Sequence, residues 1–170
     1  MARSAPQDEA FTRFVVESRG SLARAAWFLV GDTDLAADLV QETYVRTYVA
    51  WNRVRPEGAL AYARTVLVNA NTDRLRRRHG ESSLAPETDV IDPRDATAGV
   101  DARDELARLL VGLPRRQRQV VVMRYAMDLP EQDVADTLGI SVGAVKSTAS
   151  RALAALRTRA GAQPREEYVR

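Results

Sequence analysis

The 170-residue chain contains no cysteine. That excludes a disulfide scaffold, a thiolate zinc site and a thiol redox switch. A single histidine, His79, leaves little scope for imidazole acid–base catalysis or for a histidine metal site. No nucleophile–base pair and no metal-ligand constellation stands out, so neither an enzyme nor a bound cofactor is expected. No apolar run approaches the length of a membrane span, and the N-terminus lacks the basic-then-apolar order of a signal peptide. The expected compartment is the cytoplasm, with no membrane partner. Lysine is nearly missing too: of 25 basic residues only Lys146 is a lysine.

Hydrophobic residues make up 45% of the chain, enough for one ordinary domain or two small ones. The net charge of +2 conceals a strong segregation. Residues 1–78 are basic overall, the segment 79–105 is strongly acidic, and 106–170 is basic again. Two basic segments flanking an acidic one suit two modules that meet a polyanion, joined by a segment that repels or imitates it. A solvated surface with an acidic spacer would carry the same charges.

Apolar residues recur at helical spacing through "DEAFTRFVVESRGSLARAAWFLV", "DTDLAADLVQETYVRTYVAWNRV" and "PEGALAYARTVLVNANTDRLRRR". Asp32 or Thr33 offers a cap for the second helix, and Pro56 opens a third. The pattern collapses into "HGESSLAPETDVIDPRDAT", read as a flexible linker, and returns from "DARDELARLLVGL" to about Arg159. No strand alternation is visible. The expectation is an all-α chain of two helical modules on a tether, 1–78 and 102–160, with an acidic linker at 79–101 and a tail at 161–170.

In "PEQDVADTLGISVGAVKSTASRAL" a short helix begins after Pro130, breaks at Gly139 and restarts at Ser141. Gly139 suits the left-handed residue past a helix end, and Ser141 suits an N-cap. Ala135 is small where two helices cross, while Val134, Leu138, Ile140, Val142 and Val145 supply apolar contacts. This is the spacing of a helix-turn-helix, whose second helix enters the major groove. Val142, Val145, Ala149, Leu153 and Leu156 form the expected inward stripe. Gly143, Ala144, Lys146, Ser147, Ser150 and Arg151 face outward, small enough for close approach and polar enough to meet phosphates or base edges. Arg115, Arg116 and Arg118 add positive charge at an upstream helix start. A plain helical hairpin with a solvated edge is the alternative.

The segment Asp34–Trp51 carries two unlike faces. Ala37, Val40, Tyr44, Tyr48 and Trp51 form an expected core stripe. Leu35, Asp38, Glu42, Val45, Arg46 and Val49 form a mixed apolar–acidic outward face, suited to an interface or to burial under a third helix. The helix 59–78 is expected to bury Leu60, Ala63, Leu67 and Ala70. Its other face shows Tyr62, Thr65, Asn69, Thr72, Asp73 and Arg76 and ends in Arg77 and Arg78. An aromatic ring, an amide, hydroxyls and arginines on one face suit unstacked bases and a phosphate backbone, though arginine-rich helix ends are often merely solvated.

Together these segments resemble the extracytoplasmic-function sigma factors of bacterial RNA polymerase, group IV of the sigma-70 family, over nearly the whole chain. "DLVQETYVRTYVAW" is similar to the family's core-binding segment of region 2. The resemblance implies that Leu35, Asp38, Gln41, Glu42, Tyr44 and Val45 bind the polymerase β′ clamp. "AYARTVLVNANTDRLRRR" is similar to the segment that opens and reads the −10 element, implying roles for Tyr62, Thr65, Asn69, Asp73, Arg76, Arg77 and Arg78. Tyr62 lies where many members have tryptophan. The segment from Leu113 to Arg157 is similar to region 4. It implies −35 contacts from Arg115, Arg116, Ser141, Gly143, Ala144, Lys146, Ser147, Ser150 and Arg151, and a second polymerase contact at the β flap. Thr148 departs from the arginine frequent among relatives. The implied partners are core polymerase, promoter DNA and an anti-sigma factor, and the acidic linker would thread near the RNA path. A stand-alone helix-turn-helix regulator, and a sigma mimic that binds a regulator, are the rival readings.

Overall fold

The computed structural model describes residues 5–78 and 102–162. The acidic linker and the tail beyond Ala162 lie outside them, and of Arg78 only the backbone is described. Every element among the described residues is helical, as the periodicity predicts. Helix α1 spans Ala5–Val30, α2 Thr33–Ala50 and α3 Ala59–Arg78, with short 3-10 turns at Trp51–Arg53 and Pro56–Gly58. Then come α4 (Ala102–Val111), α5 (Arg115–Val121), a widened π turn at Val122–Ala126, α6 (Glu131–Leu138) and α7 (Val142–Ala162).

The first three helices form a bundle in which α2 lies between α1 and α3. Leu22, Ala25, Ala26 and Leu29 recur at the 3–4 spacing that builds one buried stripe on α1. Gly31 ends that helix at φ +71, its N–H bonded to Trp27 O at 2.7 Å. Asp32 then caps α2, its carboxylate accepting from Leu35 N at 2.8 Å.

The core stripe of α2 differs from the one hydropathy suggests. Ala37 and Tyr48 are exposed, and the buried residues are Ala36, Leu39, Val40, Thr43 and Thr47. Both threonine hydroxyls donate to the carbonyl four residues back at 2.7 Å, so the polar atoms are satisfied within the helix and the methyl groups turn inward. Tyr44, Tyr48 and Trp51 instead surround Phe11 and Phe14 of α1 in an aromatic cluster at one edge. Burial raises the Tyr44 phenol above its ordinary value, while its hydroxyl pairs with Ser18 Oγ at 3.0 Å.

The second set of helices does not stand apart from the first. Helix α1 packs on α4 and on the π turn, α3 touches α6, and the buried apolar residues of both halves form one continuous cluster. Val111 of α4 fits directly against Gly31. On α5, Gln119 donates to Thr72 of α3 at 3.0 Å. Burial lowers the Arg64 guanidinium below its ordinary value, an effect opposed by Asp128 in the loop after the π turn. The tether predicted from sequence therefore joins halves that are docked together in this structure.

Candidate nucleic-acid interface

Helices α6 and α7 form the expected two-helix unit. Gly139 adopts the left-handed conformation (φ 64, ψ 40), and its N–H and that of Ile140 both converge on Ala135 O. Ser141 Oγ accepts from Ala144 N at 3.1 Å, which caps α7. Val134, Ala135 and Val145 are buried at the crossing, with Leu138, Ile140 and Val142 packed around them.

Along the outer edge of α7, Gly143, Lys146, Ser147, Ser150 and Arg151 are exposed and Ala144 is half-buried. No carboxylate occurs anywhere on this helix. Lys146 Nζ lies 3.5 Å from Glu131 Oε2 at the start of α6, an exposed pair held weakly. Arg151 folds back along its own helix toward Ser147 O.

One expectation is corrected here. Arg118 is only 2% exposed and donates to Val111 O at 3.0 Å, so it braces α4 from inside and cannot meet a phosphate. Thr148 is 6% exposed on the inner side of α7, and its hydroxyl accepts from Arg151 at 3.5 Å. The inward stripe also includes Ala152, which is fully buried. Arg115 and Arg116 are half-buried, and Arg116 donates to Leu138 O at 3.0 Å, securing the end of α6.

On α2 the outward face consists of Asp38, Gln41, Val45 and Val49, with the two valines 58% and 72% exposed. Apolar side chains left that open beside an acidic group suit a protein contact. Leu35, expected on this surface, is only partly exposed and packs against the core, and Tyr44, assigned to the clamp contact by the resemblance, turns toward α1, where its hydroxyl meets Ser18. Glu42 stands at the border. It pairs with Arg46 at 2.6 Å, Arg46 reaches Asp73 of α3 at 3.0 Å, and Arg77 lies 3.6 Å from Glu42. The hydrogen bond to Asp73 pushes the Arg46 guanidinium above its ordinary value. One ion network thus joins the outward face of α2 to the polar face of α3.

That polar face borders the second half of the chain. Tyr62 is 38% exposed, and with Thr65 and Asn69 it lines a cleft whose opposite wall carries Asp133, Asp136 and Thr137 of α6. Farther along α3, Asn69, Thr72 and Arg76 face Arg115, Arg116 and Gln119 across a second cleft. Helical periodicity places each of these residues on its own helix. Nothing in it signalled that Asp133, Asp136 and Gln119 would stand opposite Tyr62 and Thr72, because those positions are far apart along the chain. Among the described residues no cluster of carboxylates or imidazoles could hold a metal ion, and no helix is long and apolar enough to cross a membrane.

Comparison with known proteins matches residues 14–81 to sigma-70 region 2 and residues 103–156 to sigma-70, region 4. The RNA polymerase sigma-E factor of Streptomyces avermitilis is 36% identical over 148 residues, covering 86% of this chain and 83% of that protein. The ECF RNA polymerase sigma factor SigM of Mycobacterium tuberculosis is 32% identical, covering 86% and 75% of the two chains. Among solved structures, CnrH in complex with the cytosolic domain of CnrY aligns with a TM-score of 0.64 and 25% identity, covering 92% of this chain and 91% of that one. The sigma factor RpoE of Bartonella quintana, in complex with the anti-sigma factor NepR, shares the fold with a TM-score of 0.69 at 20% identity, covering 91% and 98%. With both halves matched in order and a helix-turn-helix edge free of acids, this chain belongs to the sigma-70 family, as an extracytoplasmic-function sigma factor of RNA polymerase.

Proposed function

We propose that the outward face of α2 binds core polymerase, that α3 traps the melted −10 strand, and that α7 reads the −35 element, with 1–78 and 102–160 acting as separable modules. The observation that carries this reading is the acid-free outer edge of α7, set on a correctly capped helix-turn-helix. Small residues at 143 and 144 let the backbone approach base edges, and Lys146 near the N-terminal end would lie deeper in the groove than Arg151. Glu131 must release Lys146 for that contact to form.

Promoter opening then draws on binding energy alone, without hydrolysis by the sigma factor. Tyr62 offers a ring for a flipped base and Asn69 an amide two turns along α3. Asp133 and Asp136 occupy the space such a strand would need, so α6 must swing away from α3 before −10 DNA can bind. In the docked arrangement the protein is therefore a poor DNA binder, and polymerase contacts on α2 would favour separation of the halves. The same arrangement suits an anti-sigma factor. An apolar groove of about 730 Å³, lined by Trp27, Leu106, Leu110, Tyr125, Leu153 and Leu156, opens between α1, α4 and α7 and would take an amphipathic helix. CnrH, aligned over nine-tenths of this chain, was solved in complex with the cytosolic domain of CnrY. The setting is cytoplasmic, where polymerase works.

In vitro transcription with core polymerase and a genomic promoter library tests the reading. A defined set of promoters with paired −35 and −10 motifs, used only when the protein is added, is expected. Sequence-specific duplex binding by the isolated protein, with no effect on polymerase, would instead make it a stand-alone regulator.

A further inference from the structure

The second cleft between α3 and α5 has a charge imbalance that neither half explains alone. Four arginines reach it: Arg46 and Arg76 from the first half, Arg115 and Arg116 from the second. Arg46 is neutralised by Glu42 and Asp73. No carboxylate lies within ion-pair distance of Arg76, Arg115 or Arg116 among the described residues. Arg116 donates only to the neutral carbonyl of Leu138. Closing the two halves thus brings three guanidinium groups with no carboxylate partner around one cleft, whose only carboxylate among the lining residues, Asp73, is engaged by Arg46, a concentration of positive charge that favours a bound anion.

The cleft measures about 490 Å³, within the range of small-molecule sites, and is walled mainly by polar groups. Thr72 and Gln119, bonded to each other at 3.0 Å, close one wall and join the two halves there. Asn69 and Thr137 add neutral polar groups to its lining. Guanidinium groups are the preferred ligands of phosphate because their paired N–H donors match two phosphate oxygens. Three such groups call for more negative charge than one orthophosphate brings.

We propose that this cleft is a binding site for a small molecule carrying a pyrophosphate group, formed only when the two halves are docked. Such a ligand holds the sigma factor closed by mass action, because it binds the docked form and not the separated one. It also competes with promoter DNA, since Arg76, Arg115 and Arg116 belong to the surfaces proposed for −10 and −35 contacts. A free nucleotide and inorganic pyrophosphate share this chemistry. The amide of Asn69 and the hydroxyl of Thr137 give a nucleoside something further to meet. The proposal rests on the docked arrangement and not on the assignment of promoter elements.

Isothermal titration of the full-length protein with inorganic pyrophosphate, with a nucleoside diphosphate and with orthophosphate tests it, alongside inter-module energy transfer. The expected result is saturable one-to-one binding of the diphosphorylated probes, with orthophosphate weaker and transfer efficiency rising on binding. Arg76→Gln and Arg115→Gln should each weaken binding about ten- to a hundredfold, as expected for the loss of a charged hydrogen bond. Gly31→Ala, a change outside the cleft that pries the halves apart, should weaken it as well. Tighter binding of the nucleotide assigns a base contact to Asn69, and equal binding assigns the site to the phosphates alone. Either result supports the site. Absence of saturable binding, or binding unchanged in both arginine variants, overturns it. Binding that survives Gly31→Ala in full also overturns it, because the anion would then sit on one half. Transcription by the reconstituted holoenzyme on a selected promoter is measured in parallel. It reports on the sigma assignment even where the anion site fails.

Discussion

Replacing Gly31 with alanine tests the docked arrangement at a single atom. Gly31 sits at φ +71, where a residue with a Cβ pays about 1–2 kcal/mol. The added methyl would lie 2.4 Å from Val111 Cγ2 of α4, whereas carbon atoms rest about 3.5–4.0 Å apart. Val111 is fully buried and, being β-branched on a helix, has essentially one rotamer available. Relief must therefore come from moving α4 away from the α1–α2 turn. Overpacking of this kind costs about 1–3 kcal/mol, so the total is about 2–5 kcal/mol. For a chain of this length each kcal/mol lowers the thermal midpoint by about 2–4 °C. The halves can also separate rather than compress, so the overpacking part cannot exceed the free energy of docking. Gly139→Ala is the control: φ is +64 there, but nothing lies within 4 Å of the new methyl, so only the backbone strain is incurred. The chain has no cysteine, so exposed positions such as Glu9→Cys and Thr158→Cys take fluorophores without background. Gly31→Ala should lower energy transfer between them and destabilise more than Gly139→Ala. Adding Val111→Ala, harmful alone because it empties a buried site, should be nearly neutral or favourable in the Gly31→Ala background. Equal costs for the two glycine variants, with unchanged energy transfer, would refute the Gly31–Val111 contact and the docking it reports.

The other predictions concern the three proposed surfaces. Asp38→Arg combined with Val45→Asp should abolish co-purification with core polymerase while leaving helical content unchanged; these positions are preferable to Glu42, whose loss would also disturb Arg46 and Arg77. Tyr62→Ala should cost about 1–3 kcal/mol of single-strand affinity, seen on a pre-melted −10 template as well as on duplex, and normal opening without the ring would move the site elsewhere. In a randomised −35 selection at two salt concentrations, Lys146→Ala should change the preferred sequence. Arg151→Ala should weaken all sequences alike and reduce the salt slope by about one. Glu131→Gln, which frees Lys146, should tighten −35 binding most at low salt, and no change there would show that the pair at 3.5 Å has no hold on the reading residue.

The helix-turn-helix was legible in the sequence because its determinants are local. A left-handed glycine, a capping serine and a small residue at the crossing act within a few positions, and Gly139, Ser141 and Ala135 do in the structure what their chemistry demands. The all-α fold and the outward edge of α7 followed from the same short-range periodicity. The core stripe of α2 was not legible because hydropathy ranks a tyrosine above a threonine. Inside a helix, Thr43 and Thr47 satisfy their own hydroxyls and bury more readily than Tyr48, whose hydroxyl reaches Asp8 at the surface. Arg118 was misplaced for a related reason: its charge suggests solvent, but Val111 O supplies an acceptor that only the folded second half brings near. What tertiary structure alone decided is the docking of the halves. Gly31 meets Val111, Gln119 meets Thr72, and Asp133 and Asp136 face Tyr62, each pair separated by some 50 to 80 positions along the chain. Local sequence pattern carries no information about such pairings, because they depend on how two finished surfaces fit and not on the helical preference of any segment.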